Sequence, residues 1–182
     1  MKLALVLALA VHVNAQVPAG QPVPNPDAAI EIHLKAVKLV EMSGARERFV
    51  TAIPGLIEQG KTAMQTQCTD CNPAFVAEWG KRMTARLKVD DFVNVAARAY
   101  ERRFTNDELA ELLAVVSSRK TEKPVPLSPA LQKKVSDLLP AIMGEITGGS
   151  TEIGAKLGGE IGAEILKEHP EYTPAKSKPA KP

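Results

Sequence analysis

The sequence predicts an all-α protein, a single helical bundle of about six or seven helices, and two observations support this. Apolar residues recur at spacings of three and four through most of the interior, which is the helical period. No stretch alternates apolar and polar residues long enough to form a strand. The helical region, residues 27–169, is long enough to bury one proper core, so a single bundle domain is expected there.

The N-terminus predicts export. Lys2 precedes an unbroken apolar run over residues 3–11, and small side chains stand at Val13 and Ala15. This arrangement is typical of a secretory signal peptide over residues 1–15, cleaved after Ala15. The apolar run is shorter than the roughly 20 residues of a membrane span, so no transmembrane segment is expected after cleavage. The mature protein is therefore expected to be periplasmic or secreted.

Two segments that flank the bundle are expected to lack a core of their own. Residues 16–26 hold four prolines and predict an extended linker. Residues 170–182 are rich in proline and lysine without apolar periodicity, and predict a disordered tail. The net charge of the whole chain is +2, and it falls to +1 once Lys2 is removed with the signal. Such a charge gives no general attraction to nucleic acid.

The first two helices follow from apolar stripes. The first is expected to end at Gly44 and to bury Ile30, Leu34, Val37 and Val40. The second is interrupted by Pro54 and Gly55, so a kink or break is expected there. Its predicted buried stripe is Phe49, Ile53, Leu56, Ile57 and Met64.

The next two helices are marked by a cap and by continued periodicity. Asn72 and Pro73 form a cap and first-turn pair at the start of the third helix. Its apolar positions are Phe75, Val76, Trp79, Met83 and Leu87. The fourth helix continues the pattern with Phe92, Ala96, Ala99 and Tyr100.

The segment RRFTNDELAELL carries the clearest local signal. Thr105 and Glu108 have the spacing of a capping box, in which each side chain takes a backbone amide of the other residue. Phe104 and Leu109 occupy the two positions of a hydrophobic staple, so their side chains are expected to touch. Glu108 is accordingly interpreted as a structural residue and not as a catalytic acid.

This region also resembles a known family of small exported bacterial all-helical domains of unknown function. Its signature Y-x-x-x-F-T-x-x-E-L is matched residue for residue by Tyr100, Phe104, Thr105, Glu108 and Leu109. The segment LVEMSGARERF resembles the family upstream, and the resemblance covers roughly residues 28–166. It implies an exported helical bundle and no known chemistry.

The segment after the signature departs from the family pattern F-Y-x-S-P-x-G-x-K. Valines replace the aromatic pair, an arginine replaces the proline and a threonine replaces the glycine; these residues are Val115, Val116, Arg119 and Thr121. Ser118 and Lys123 match the pattern. If this segment carries the activity of the family, the activity is expected to be altered or lost here.

The last helix is rich in glycine. Gly154, Gly158 and Gly162 recur every four residues and predict a smooth groove that admits another backbone closely. Packing within the bundle and self-association are both compatible with such a groove. The pair Gly148–Gly149 predicts a break or kink ahead of it.

The only two cysteines, Cys68 and Cys71, form a C-x-x-C motif. In an oxidising compartment an even cysteine count favours a structural disulfide. A redox-active dithiol, a metal site and free thiols remain alternatives. His33 and His169, the two histidines after cleavage, lie far apart in sequence, so no zinc set is indicated. No cofactor is expected, and Asn72 stands where haem attachment requires histidine.

Three functional hypotheses follow. The first is a non-catalytic exported module that binds an unknown envelope component or protein. The second is an envelope hydrolase, although the chain has neither a G-x-S-x-G nor an H-E-x-x-H motif. The third is a dithiol redox protein that uses Cys68 and Cys71. No catalytic, cofactor-binding or metal-ligating residue is assigned, because absent motifs lower the odds of an enzyme without excluding it.

Overall fold

A computed structural model of the chain describes residues 26–68, 71–119 and 121–173. Within these ranges the protein is all-helical, as predicted, with six α-helices and one short 3₁₀ turn. In chain order they are α1 (Pro26–Met42), α2 (Ala45–Gln67), α3 (Pro73–Arg86), α4 (Val89–Glu101), α5 (Asn106–Ser118), α6 (Pro129–Glu168) and the 3₁₀ turn Pro170–Tyr172. The predicted signal peptide and nearly all of the predicted linker lie outside the described residues, as do residues 174–182 of the predicted tail.

The first core lies between α1, α4, α5 and the N-terminal half of α6. α1 and α5 run parallel, since Glu31 lies beside Asn106 and Met42 beside Ser117. α6 supplies the side chains that close this core from the remaining side. Its buried residues are Ala36, Leu39, Val40, Val93, Ala96, Ala97, Ala99, Phe104, Leu109, Leu112, Leu131 and Ile142.

The second core lies between α2, α3, the start of α4 and the C-terminal half of α6. Its buried residues are Ile53, Ile57, Trp79, Met83, Phe92, Ile161 and Ile165. α6 therefore serves both cores, and its 40 residues span about 60 Å. Because α6 contributes side chains to both cores, it connects them within a single bundle.

Trp79 occupies the junction of three helices. Its indole Nε1 donates a hydrogen bond to the backbone oxygen of Gly158 at 3.0 Å. A Cβ built at Gly158 would lie 3.1 Å from the ring, and one built at Gly60 would lie 2.9 Å from it. The ring is thus held between glycines of α2 and α6, because a larger residue on either helix would encroach on it.

α4 and α6 approach each other closely at Gly149. A Cβ built at this position would lie 2.7 Å from Cγ1 of Val95, well inside van der Waals contact. The neighbouring Gly148 faces open space. The absence of a side chain at Gly149 therefore sets the spacing of the two helices at this crossing.

The buried faces of α1 and α2 differ in part from the predicted stripes. Ile30 and Leu34 were expected in the core but are 58% and 61% exposed. α1 instead buries the face containing Ala36, Leu39 and Val40, because α4 and α5 pack against that side. Leu56 was also expected to be buried and is 50% exposed, whereas Ile53 and Ile57 are in the second core as predicted.

A kink or a break was predicted at two positions, and neither helix breaks there; the kink stays a prediction. α2 continues through Pro54, whose ring removes one hydrogen bond to the carbonyl of Val50. Val50 is exposed, so water can satisfy that carbonyl without ending the helix. α6 continues through Gly148 and Gly149, because tertiary packing at the crossing compensates for the low helix propensity of glycine.

The predicted tail begins too early. It was placed at residue 170, but Pro170–Tyr172 form a 3₁₀ turn that continues the ordered structure beyond α6. The Tyr172 ring stacks on the His169 ring with centroids 4.8 Å apart, and Tyr172 packs against the second core. The packing of the Tyr172 side chain holds this turn against the bundle. The composition of the segment, which is rich in proline and lysine, gave no indication of such packing.

Candidate functional site

A concave surface of the described part of the molecule is a groove between α4 and α6, hereafter the α4–α6 groove. Its volume is about 590 Å³, and it extends to Arg86 at the end of α3. Half-buried apolar residues from both helices form part of its lining: Val95, Ile153 and Leu157. The close crossing at Gly149 brings the two helices together along this groove.

Ion pairs join the two walls at each end of the groove. At one end Glu145 of α6 accepts hydrogen bonds from Arg102, at 2.6 Å, and from Arg103. At the other end Arg86 donates to Glu164 at 2.6 Å, and Glu160 lies 3.8 Å from its guanidinium. These pairs hold the ends in place and offset most of their charge, which leaves an excess of one cation at the Glu145 end and of one anion at the Arg86 end.

The middle of the groove is different, because its charged side chains form no ion pair within the described residues. Arg98 and Asp91 belong to the α4 wall, and Glu152 and Lys156 to the α6 wall. All four residues are exposed, and the half-buried Asn94 beside them has no side-chain hydrogen bond to described residues. The groove therefore presents two cationic groups, two anionic groups and one amide that are available to a ligand.

The capping residues identified from sequence have a structural role. Thr105 Oγ1 accepts a hydrogen bond from the Glu108 amide at 3.3 Å, and Glu108 accepts one from the Thr105 amide at 2.8 Å. Phe104 and Leu109 are both buried in the first core. Lys134 of α6 also binds the Glu108 carboxylate, and this contact lowers the pKa of Glu108 below its usual value. The site is a joint between α4, α5 and α6.

The two cysteines are joined by a disulfide, with their Cα atoms 5.2 Å apart. Cys68 follows the last residue of α2, and Cys71 directly precedes Asn72, whose side chain caps α3. The amide of Cys71 also donates to the Cys68 carbonyl at 3.1 Å. The bridge thus joins the end of α2 to the start of α3.

The three glycines of the predicted packing groove do not act together. Gly158 contacts Trp79, and a Cβ at Gly162 would lie at an ordinary 3.7 Å from Phe75. Gly154 faces open space, so it takes no part in close packing within the described chain. The closest glycine contact on α6 is at Gly149, which the four-residue repeat does not include.

The described carboxylates offer little support for acid catalysis. Each carboxyl group with a clear pKa shift has its pKa lowered, mainly by hydrogen bonds from neighbouring cationic, amide or backbone groups; these are Glu31, Glu78, Glu108, Glu168 and Glu171. A hydrolase of the paired-carboxylate type needs one group whose pKa is raised. Within the described ranges no group of three His, Cys, Asp or Glu side chains is arranged to hold a metal ion.

Sequence reasoning did not identify the α4–α6 groove. Arg98 on α4 and Arg102, the residue directly after α4, are four positions apart and lie away from the predicted apolar stripe. This spacing was the available signal. It was weak, because exposed arginines are ordinary on helices. The groove depends on which part of α6 lies opposite α4, and that pairing joins residues more than 40 positions apart.

Comparisons of the chain with protein-family models, with curated proteins and with solved structures gave no match. Among the described helices, none combines the length and the apolar character needed to cross a membrane.

Proposed function

We propose that the protein is an exported, non-catalytic interaction module of the bacterial cell envelope, and that it binds an envelope component in the α4–α6 groove. One observation carries the proposal. Ion pairs close both ends of the groove, whereas Asp91, Arg98, Glu152 and Lys156 in its middle have no ion pair within the described chain.

The chemistry of this surface favours recognition of a partner with charges of both signs. Charged groups without an internal partner can pair with a complementary ligand without first breaking an intramolecular ion pair. Their positions also fix the register and orientation of the bound ligand. The volume of the groove falls within the range of about 300–1,000 Å³ that is usual for ligand sites. The half-buried Val95, Ile153 and Leu157 add apolar surface beneath the charges.

Export and family membership enter this proposal as sequence-based inferences. The signal peptide predicted over residues 1–15 favours export, and the resemblance at Tyr100–Leu109 is the basis for proposing membership in the family of exported helical domains. Neither indicates a reaction, which agrees with a binding function.

Site-specific photo-crosslinking tests the binding site. A photoreactive residue replaces Asn94 in the groove, in a full-length chain that is expressed in a bacterial host with its own N-terminus. The matched control carries the same residue at Thr62, an exposed position on α2 away from the groove. We expect a discrete adduct from Asn94 and none from Thr62, with the adduct identified by mass spectrometry.

Charge reversal provides the second arm of the experiment. Arg98→Glu in the Asn94 crosslinking protein is expected to abolish the adduct, because it inverts one of the groove's free charges. Lys167→Glu, an equal change on the exposed end of α6 outside the groove lining, should leave it intact. Equal adducts from Asn94 and Thr62, or an adduct that Arg98→Glu does not change, would refute the proposal.

A further inference from the structure

The connection between α5 and α6 contains the segment KPVPLSP, residues 123–129. Residues 124–128 adopt neither helix nor strand, and Pro129 is the first residue of α6. Lys123, Pro124, Val125 and Pro126 are all exposed. This surface lies about 24 Å along α6 from Glu145, the nearest part of the α4–α6 groove, so it is a separate feature.

The local sequence favours the polyproline II conformation at every residue of this segment except Leu127, which neither is proline nor precedes one. Each proline fixes its own φ near −65°. The residues before them, Lys123, Val125 and Ser128, are confined to extended or polyproline II geometry by the following ring. Ser128 has φ −59° and ψ 143°, which is close to the ideal polyproline II values. The described chain contains no cis peptide bond, so these X–Pro bonds are all trans.

A polyproline II helix has three residues per turn and therefore three edges. The edges of this segment are 123/126/129, 125/128 and 124/127. Leu127 is half-buried and packs against the first core, whereas Pro124 on the same edge is exposed. Lys123, Pro126 and Pro129 are exposed on the first edge, and Val125 is 44% exposed on the second. Ser128, the other residue of the second edge, is half-buried and caps α6 through its Oγ. The first edge and Val125 are thus available to a partner.

Hydrogen bonds from the segment's own amides hold it in place. The Val125 amide donates to Ser118 Oγ at 2.8 Å, and the Ser128 amide donates to Glu111 at 2.6 Å. The carbonyls of residues 124–127 accept no hydrogen bond from the described residues. The segment is therefore fixed in one conformation while its acceptors remain available, which reduces the entropy that a partner must remove on binding.

We propose that residues 123–129 are a preformed polyproline II ligand for a partner protein with an aromatic-lined groove of the SH3 kind. The spacing Lys-x-x-Pro-x-x-Pro places two X–Pro pairs, Val125–Pro126 and Ser128–Pro129, where such a groove accepts them. Lys123 stands one turn before Pro126 and fits an acidic pocket at the end of the groove. Leu127 faces away from the partner and anchors the ligand to its own bundle.

The test uses an isolated SH3 domain that prefers the order Lys/Arg-x-x-Pro-x-x-Pro as a probe of this surface. The labelled domain is titrated with the intact protein, and shifts of its groove resonances are followed by NMR. We expect saturable binding. Pro126→Ala and Lys123→Glu should each weaken it by about tenfold or more, because each removes one anchor of the ligand.

Pro124→Ala is the matched control, since it makes the same change at an exposed proline outside the two X–Pro pairs that the groove accepts. It should alter the affinity less than about twofold, within the usual effect of a residue outside a binding hot spot. Thermal melts establish that all three variants are folded. Absence of binding, or equal losses from Pro124→Ala and Pro126→Ala, would overturn the proposal. Binding that Pro126→Ala leaves unchanged would assign the contact to another proline-rich segment and overturn it as well.

Discussion

Gly149→Ala is expected to destabilise the protein by crowding the crossing of α4 and α6. The added methyl group would lie 2.7 Å from Cγ1 and 3.3 Å from Cγ2 of Val95. Carbon atoms pack best at about 3.5–4.0 Å, so the closer contact is short by roughly 1 Å. Val95 cannot easily turn aside, because a helical valine has one strongly preferred rotamer. The two helices must therefore move apart.

The size of the effect follows from two opposing contributions. Overpacking of this kind typically costs about 1–3 kcal/mol. Replacing glycine by alanine in a helix contributes about 0.4–1 kcal/mol in the opposite direction, through the unfolded state. Gly148→Ala receives that benefit without the clash, because Gly148 faces open space. The difference between the two variants is then the overpacking cost alone, about 1–3 kcal/mol.

Urea unfolding followed by far-UV circular dichroism measures both variants against the wild type. We expect Gly148→Ala to be more stable than the wild type and Gly149→Ala to be less stable. Val95→Ala combined with Gly149→Ala should recover part of the loss, since it removes the two γ-methyl groups that the new Cβ meets. A Gly149→Ala protein as stable as Gly148→Ala would refute the crossing described here.

Three further predictions concern other parts of the fold. Gly158→Ala should destabilise by about 1–3 kcal/mol, because Trp79 is fixed 3.1 Å from the new methyl group, and its urea midpoint should not depend on protein concentration. Replacing Cys68 and Cys71 together by serine should lower the melting temperature slightly and leave helicity intact, since a bridge of sequence separation 3 constrains little of the unfolded chain; complete unfolding would contradict this. The lowered pKa of Glu108 contributes stability above its usual pKa of 4.5 that is lost as the pH falls through the folded value; Glu108→Gln should therefore show a smaller loss of stability below about pH 4.5, and an unchanged acid titration would exclude the effect.

Features set by residues close in sequence were predictable, and the capping box shows why. Thr105 and Glu108 act through backbone atoms three residues away, so their spacing alone specifies the geometry. The bridge between Cys68 and Cys71 is equally local. The all-helical class followed from periodicity, which every helix carries within itself. Export and family membership stay predictions.

Features set by distant residues were harder to predict. Ile30 and Leu34 fit the apolar period of α1 as well as its buried residues do, and only the positions of α4 and α5 decide which face is covered. Gly149 was interpreted as a helix breaker because the reason for a glycine there is not local. The side chain that occupies the space is that of Val95, more than 50 positions earlier. The α4–α6 groove arises from the same long-range pairing.

The position of Trp79 gives the protein a built-in optical reporter. It is the only tryptophan in the chain, and its ring contacts α2 and α6 from its own place on α3. Its emission therefore responds to the second core, whereas circular dichroism responds to every helix. Coincident melting by the two signals would mean that both ends of α6 unfold in one step, and separate transitions would mean that the two halves of the bundle lose structure independently.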